Sequence, residues 1–160
     1  MVLPEELVDN AIAVSHYINN RLCSPQWRAF LSIFATELTQ DLTSNHLGKV
    51  MRRTGEHFAR DHALANAGTI TDLQAAINRV WDALDWGWVE IGEAEDKLVL
   101  THYYAPLQAA FGADNQAWSG AFLEGAYEWW MRQLGADPEL RVTSARDSGA
   151  LGATVFHFGK

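Results

Sequence analysis

The 160-residue sequence contains one cysteine, Cys23, which excludes an intrachain disulfide framework and, taken alone, a metal site. It has no apolar run approaching the roughly 18 to 20 residues of a membrane-spanning helix, so helical membrane insertion is not expected. Cations are also scarce. Twelve Lys and Arg stand against twenty Asp and Glu, and the formal charge of -8 repels phosphate backbones and anionic lipid headgroups, which removes nucleic acid as a partner. The one basic stretch, Lys49, Arg52, Arg53 and Arg60, falls on an expected helix and reads as a solvated face. The start, MVLPEELVDNAIAV, lacks the basic region and continuous apolar region of a secretory leader because Glu5, Glu6 and Asp9 interrupt it. The residues therefore point to the cytoplasm.

Catalytic signatures are equally thin. Gly149 and Gly152 lie between expected strands, not between a strand and a helix, so they form no phosphate loop, and no nucleophile elbow is present. Of the six histidines, only His57 and His62, with Glu56 and Asp61, approach metal-ligand spacing. Surface pairing of Glu56 with Arg60 accounts for that segment more simply. The carboxylate pairs Glu90/Glu93 and Glu124/Glu128 have the residue types that hydrolyse glycosidic bonds. Glu93 belongs to a turn, however, and Glu124 and Glu128, four apart on one helix, are expected on its outer face. No catalytic residue, cofactor or metal ligand is assigned, and the chain reads as non-enzymatic.

What is present is enough apolar sequence for one folded domain, since chains of this length bury roughly two thirds of their unfolded surface. Pro4, Glu5 and Glu6 open an amphipathic helix that carries Leu7, Ala11, Val14 and Ile18 and ends near Asn20. Ser24-Pro25 opens a second, with the aromatic stripe Trp27, Phe30, Leu31, Phe34 and Leu38. A third runs from Thr43 to about Leu64 with Leu47, Met51, Gly55, Phe58 and Ala59 inward, and Gly55 and Ala59 would let another backbone approach closely. A fourth starts at Thr71, where Thr71 and Gln74 match a capping box. At Asp85-Trp86-Gly87 the periodicity changes to 2. Residues 88–91 and 97–102 predict a hairpin, a fifth helix follows from Gln116 to Leu134, and residues 140–142 and 154–158 flank a turn-rich segment as a second hairpin. The expected fold class is α+β: four or five helices packed with a small, mostly antiparallel sheet in the C-terminal half.

Seven tryptophans stand out: Trp27, Trp81, Trp86, Trp88, Trp118, Trp129 and Trp130. Rings of this size serve cores, subunit interfaces and stacking on pyranose faces. On the fifth helix, Trp118, Phe122 and Trp129 point one way, while Leu123, Tyr127, Trp130 and Leu134 point roughly 140° away at about 100° per residue. One core does not cover both arcs, so a second subunit is expected on one of them.

The run Leu84-Asp85-Trp86-Gly87-Trp88-Val89, the strand Leu98 to His102, the helix Trp118 to Trp130 and the ending Phe156-His157-Phe158-Gly159 together resemble the pattern of the D subunit of bacterial cellulose synthase. The resemblance covers residues 25–158 in order. It implies a non-catalytic accessory protein: a cylindrical octamer, built as a tetramer of dimers, through which nascent glucan chains have been proposed to pass. It also implies a role in organising glucan or synthase complexes for cellulose crystallisation and export, as in biofilm formation. Other cellulose synthase subunits and β-1,4-glucan become the expected partners, and Trp118, Phe122, Trp129, Tyr127, Trp86 and Trp88 become candidate contacts to another subunit, to glucan or to a partner. Residues 1–24 look longer than the family's N-terminal lead and are set apart as an extension to a domain at residues 25–160. Family members have been described as periplasmic, whereas this N-terminus favours the cytoplasm, where a proline-rich product of the same operon would be a ligand for exposed aromatics. The helix-hairpin-helix order is also similar to vinyl-reductase-like small-molecule-sensing domains. Those often carry a C-terminal cysteine cluster, which this chain lacks.

Overall fold

The computed structural model describes residues 4–145 and 151–160. Helix α1 (Glu5–Asn19) begins after Pro4, and α2 (Pro25–Asp41) has its proline in the first turn, where the missing N–H is not needed. Helix α3 (Ser44–Asp61) is capped by the Thr43 hydroxyl, which accepts from His46 N–H at 3.3 Å. The cap of α4 (Ile70–Ala83) is Thr69, not Thr71. Its hydroxyl accepts from Asp72 N–H at 3.1 Å, and Gln74 is used elsewhere.

Strands β1 (Trp88–Ala94) and β2 (Lys97–Tyr103) form the expected hairpin around a turn at Glu95–Asp96, and Glu93, expected in the turn, lies within β1. Next come the short helix α5 (Leu107–Phe111), one 3₁₀ turn (Ala113–Asn115) and α6 (Gln116–Ser119). The helix expected to run unbroken to Leu134 is divided at Gly120, and α7 occupies Ala121–Gln133. Strands β3 (Arg141–Ser144) and β4 (Ala153–Gly159) pair antiparallel as a second hairpin, with part of the connection outside the described residues. The sheet is antiparallel throughout, in the order β1-β2-β4-β3. The fold is α+β with the sheet in the C-terminal half, as the periodicity predicts.

The core lies between one face of this sheet and the crossing of α3 with α7. That crossing is made by two glycines. A Cβ on Gly55 would lie 1.9 Å from the Phe122 carbonyl oxygen, and a Cβ on Gly125 would lie 2.0 Å from that of Arg52, so each helix has a notch that receives the other's backbone. The close approach expected at Gly55 is present, and α7 is what approaches. Phe58 then stacks on Trp81 at 5.4 Å between centroids and Trp130 closes on Trp81 at 5.2 Å, while the Trp130 indole N–H donates to the carbonyls of Ala59 and His62.

This geometry corrects the expectation for the two apolar arcs of the fifth helix. Phe122 packs on Phe58 and Trp86, while Tyr127 packs on Phe156 of β4. Both arcs are covered within the protomer, one by α3 and one by the sheet.

The polar arc of α7 also differs from expectation. Glu124 and Glu128 are not on an outer face but seal the free edge of β3. Glu128 Oε2 accepts from Val142 N–H at 3.0 Å and Glu124 Oε1 accepts from Ser144 N–H at 2.9 Å. Arg52, expected on a solvated face, donates to both carboxylates, at 2.9 Å to Glu128 and 2.6 Å to Glu124, and to the Val142 carbonyl at 2.9 Å. Arg132 adds an i,i+4 pair to Glu128 at 2.6 Å. At the other end of the sheet, Asn78 plays the same part for β1. Its amide accepts from Val89 N–H at 2.7 Å and donates to Val89 C=O at 2.9 Å, while Gln74 accepts from Ile91 N–H at 2.7 Å. Backbone groups that would otherwise face water unpaired are thus satisfied by helix side chains.

Candidate functional site

The interior is closed off by rings. Trp81, Tyr127, Trp130 and Phe156 are fully buried where the sheet meets the helices, and His102 projects among them from β2. The Trp86 carbonyl accepts only, so the His102 bond to it at 2.7 Å places the ring proton on Nε2. Nδ1 is left to accept from the Tyr127 hydroxyl. Burial lowers the His102 pKa from 6.5 to about 4, partly opposed by the Trp86 carbonyl, and burial also pushes the Tyr127 phenol well above its usual value. Both groups are neutral and hydrogen-bonded, which makes them structural.

Stability against acid follows from this arrangement. The unfolded chain protonates His102 near pH 6.5 and the folded chain only near pH 4, so the stability contributed by this residue is complete above 6.5 and is lost as pH falls from 6.5 to 4. The loss should amount to about 3 kcal/mol at most. Chemical denaturation at a series of pH values should show this slope in the native sequence and lose it in His102→Phe, whatever that variant's stability at pH 7.

The surface is where large apolar groups remain uncovered. Helix α1 buries only Ser15 and α2 only Ala35. Leu7, Val8, Val14 and Tyr17 on α1, with Trp27, Phe30, Ile33 and Phe34 on α2, are exposed, Ile33 by 66%. The stripe Trp27, Phe30 and Phe34, which the periodicity marks as an apolar face, forms a ladder of aromatic contacts at 6.0 and 5.8 Å and is turned outward. Below it, an open apolar groove of about 440 Å³ runs from Leu22 and Trp27 past Met51 to Trp86, Phe111 and Phe122.

The six nominated aromatics do not converge on one site. Trp118 is buried beside Ala35 and Leu47, and Phe122 and Tyr127 belong to the main core. Trp129 is half-buried against that core, Trp86 is half-buried in the wall of the groove, and Trp88 is exposed on the outer face of the sheet. Trp88 stacks on Tyr103 and touches Tyr104, two residues that the sequence reading does not single out. The signal is available there, because a turn at 95–96 pairs Trp88 with Tyr103 by simple counting. His62, considered with His57 for a metal, instead stacks on Phe58 at 4.3 Å. Among the described residues, no group of three or more His, Cys, Asp or Glu side chains is placed to hold a metal ion, and no helix is long and apolar enough to cross a membrane.

The described residues thus present an uncovered apolar face on α1 and α2 and an aromatic face on the sheet, and comparison with known proteins agrees with the resemblance read from the residues. The cellulose synthase operon protein D of Komagataeibacter xylinus is 25% identical over 127 residues, which cover 78% of this chain and 81% of that protein. A family model for the D subunit of cellulose synthase matches residues 13–158, beginning inside the segment set apart as an extension and continuing through β4. The chain belongs to this cellulose synthase D-subunit family.

Proposed function

We propose that this protein is a non-catalytic scaffold of bacterial cellulose biosynthesis that assembles with copies of itself through α1 and α2 and organises nascent glucan or the synthase around that assembly. The observation that carries the reading is the uncovered apolar face of these two helices, with Phe30 and Ile33 both more than half exposed. Exposed apolar patches of this extent mark interaction surfaces. The chain's own core does not need these side chains, since only Ala35 of α2 is buried. An octamer made of dimers, as the family resemblance implies, would bring several such faces together by symmetry. Other cellulose synthase subunits, and a proline-rich product of the same operon, would then meet surfaces repeated around it. A small-molecule sensor would instead need space inside the domain, and here Trp81, Tyr127, Trp130 and Phe156 fill that volume.

Light scattering on the purified protein at micromolar concentration tests the proposal. The expected mass is a multiple of the 17.8 kDa protomer, eight in the full assembly. Phe30→Asp combined with Ile33→Asp should reduce the mass to one protomer without lowering the intrinsic stability of the fold. A native chain that stays monomeric overturns the proposal.

A further inference from the structure

Three rings meet on the outer face of the sheet, at the open end of the first hairpin. Trp88 and Tyr103 are cross-strand partners whose rings stack at 5.1 Å between centroids, and Tyr104 joins Trp88 at 5.7 Å. Even between these neighbours Trp88 is 43% exposed.

The backbone on both sides turns through the left-handed region, which Asp tolerates and Tyr does not. Asp85, at φ 55°, and Tyr104, at φ 56°, are the positive-φ non-glycine residues among those described, and they bracket the stacked pair in sequence. For an aromatic residue this region costs roughly 1–2 kcal/mol. Tyr104 is kept there by its N–H, which donates to the Gly152 carbonyl at 2.7 Å, and by its ring, which lies over Gly152. A Cβ at Gly152 would come within 2.5 Å of that ring, and one at Gly87 within 1.8 Å of the Tyr103 carbonyl oxygen. None of the three rings contributes to the buried core. Strain maintained for a surface feature argues for a role in binding.

The surroundings narrow the ligand. Glu90 projects from the same face, with its carboxylate accepting from the Tyr103 hydroxyl at 3.3 Å, and Thr101 stands opposite it on β2. Nothing lies over Gly92, the next residue on that face. An exposed indole beside a carboxylate and hydroxyls on an open sheet suits a neutral polyol with one apolar face, while the charge of -8 turns away polyanions. In a β-1,4-linked glucan every hydroxyl is equatorial, so the ring faces present C–H groups to the indole and the ring edges present hydroxyls that can donate to Glu90.

We propose that Trp88, supported by Tyr103 and Tyr104 and flanked by Glu90, is a stacking site for a β-1,4-glucan chain. This rests on the reading of the protein as a glucan-organising subunit. Saturation-transfer NMR with cellohexaose, titrated into the intact protein, should show binding that weakens roughly tenfold in Trp88→Ala and largely persists in Trp88→Phe, with the assembly mass unchanged. Maltohexaose, whose α-linkages curve the chain, should bind more weakly than cellohexaose. No transfer from the native protein, equal affinity in Trp88→Ala, or equal binding of maltohexaose would overturn the site while leaving the assembly proposal standing, because that proposal is judged on mass alone. A changed mass in Trp88→Ala would also overturn it, by showing that these rings join two copies of the chain.

Discussion

Gly55→Ala should destabilise the protomer by about 3 kcal/mol or more. The added methyl would fall 1.9 Å from the Phe122 carbonyl oxygen and 2.9 Å from the Ala126 nitrogen, both backbone atoms that cannot move without displacing α7. Overpacking a core usually costs about 1–3 kcal/mol, and a clash with main chain belongs at or above the top of that range. Gly125→Ala meets the Arg52 carbonyl oxygen at 2.0 Å and should behave alike. Because one outward shift of α7 relieves both clashes, the double variant should be less destabilised than the sum of the two singles. Gly48→Ala, on the same helix as Gly55, supplies the contrast. Its nearest neighbour is Ala121 Cβ at 4.0 Å, so the better helix propensity of alanine should raise stability by about 0.5–1 kcal/mol. Urea unfolding measures all four, and a Gly55→Ala protein within about 1 kcal/mol of the native one would show that the crossing is looser than described.

Glu128→Ala should cost about 3–5 kcal/mol, the range for removing one partner of a buried ion pair. The carboxylate is almost fully buried and satisfies Val142 N–H, Arg52 and Arg132 together. Its loss leaves a buried donor on β3 and two guanidinium groups with one fewer partner. Glu128→Gln, which keeps one acceptor oxygen and the shape, should cost clearly less. Glu139→Ala removes a contact of 3.7 Å to Lys160 between two largely exposed side chains, and should change nothing measurable. If Glu128→Ala and Glu139→Ala unfold at the same urea concentration, the edge network carries no stability.

Local patterns carry much of this fold. The change of period at Asp85 to Gly87, the hairpin after it and the small-residue notch at Gly55 all follow from neighbouring residues. The failures occur where a distant segment decides. Glu124 and Glu128 obey the spacing of an exposed helical pair, and what buries them is β3 together with Arg52, 72 and 76 positions away. Thr71 is as good a cap as Thr69 on local grounds, and the choice falls to Thr69 where Gln74 serves Ile91 N–H on β1. The two apolar arcs of α7 do need two covers, but the notch that fits Gly125 lies in α3 of the same chain, so no second copy is required there. The converse holds for α2, whose aromatic stripe has the period of a core-facing helix and faces outward. Periodicity identifies an apolar face without saying which molecule covers it.

The side chains that seal β1 and β3 set a limit on how the protein can grow. An open strand edge adds further strands without end, each addition recreating the site it used. Here the outward N–H groups of Val89, Ile91, Val142 and Ser144 already have acceptors, so main-chain pairing at these positions offers a neighbouring molecule no free donor. The protomer is left with a fixed valence, set by side-chain faces of definite shape. Units of fixed valence can close on themselves under rotational symmetry and stop.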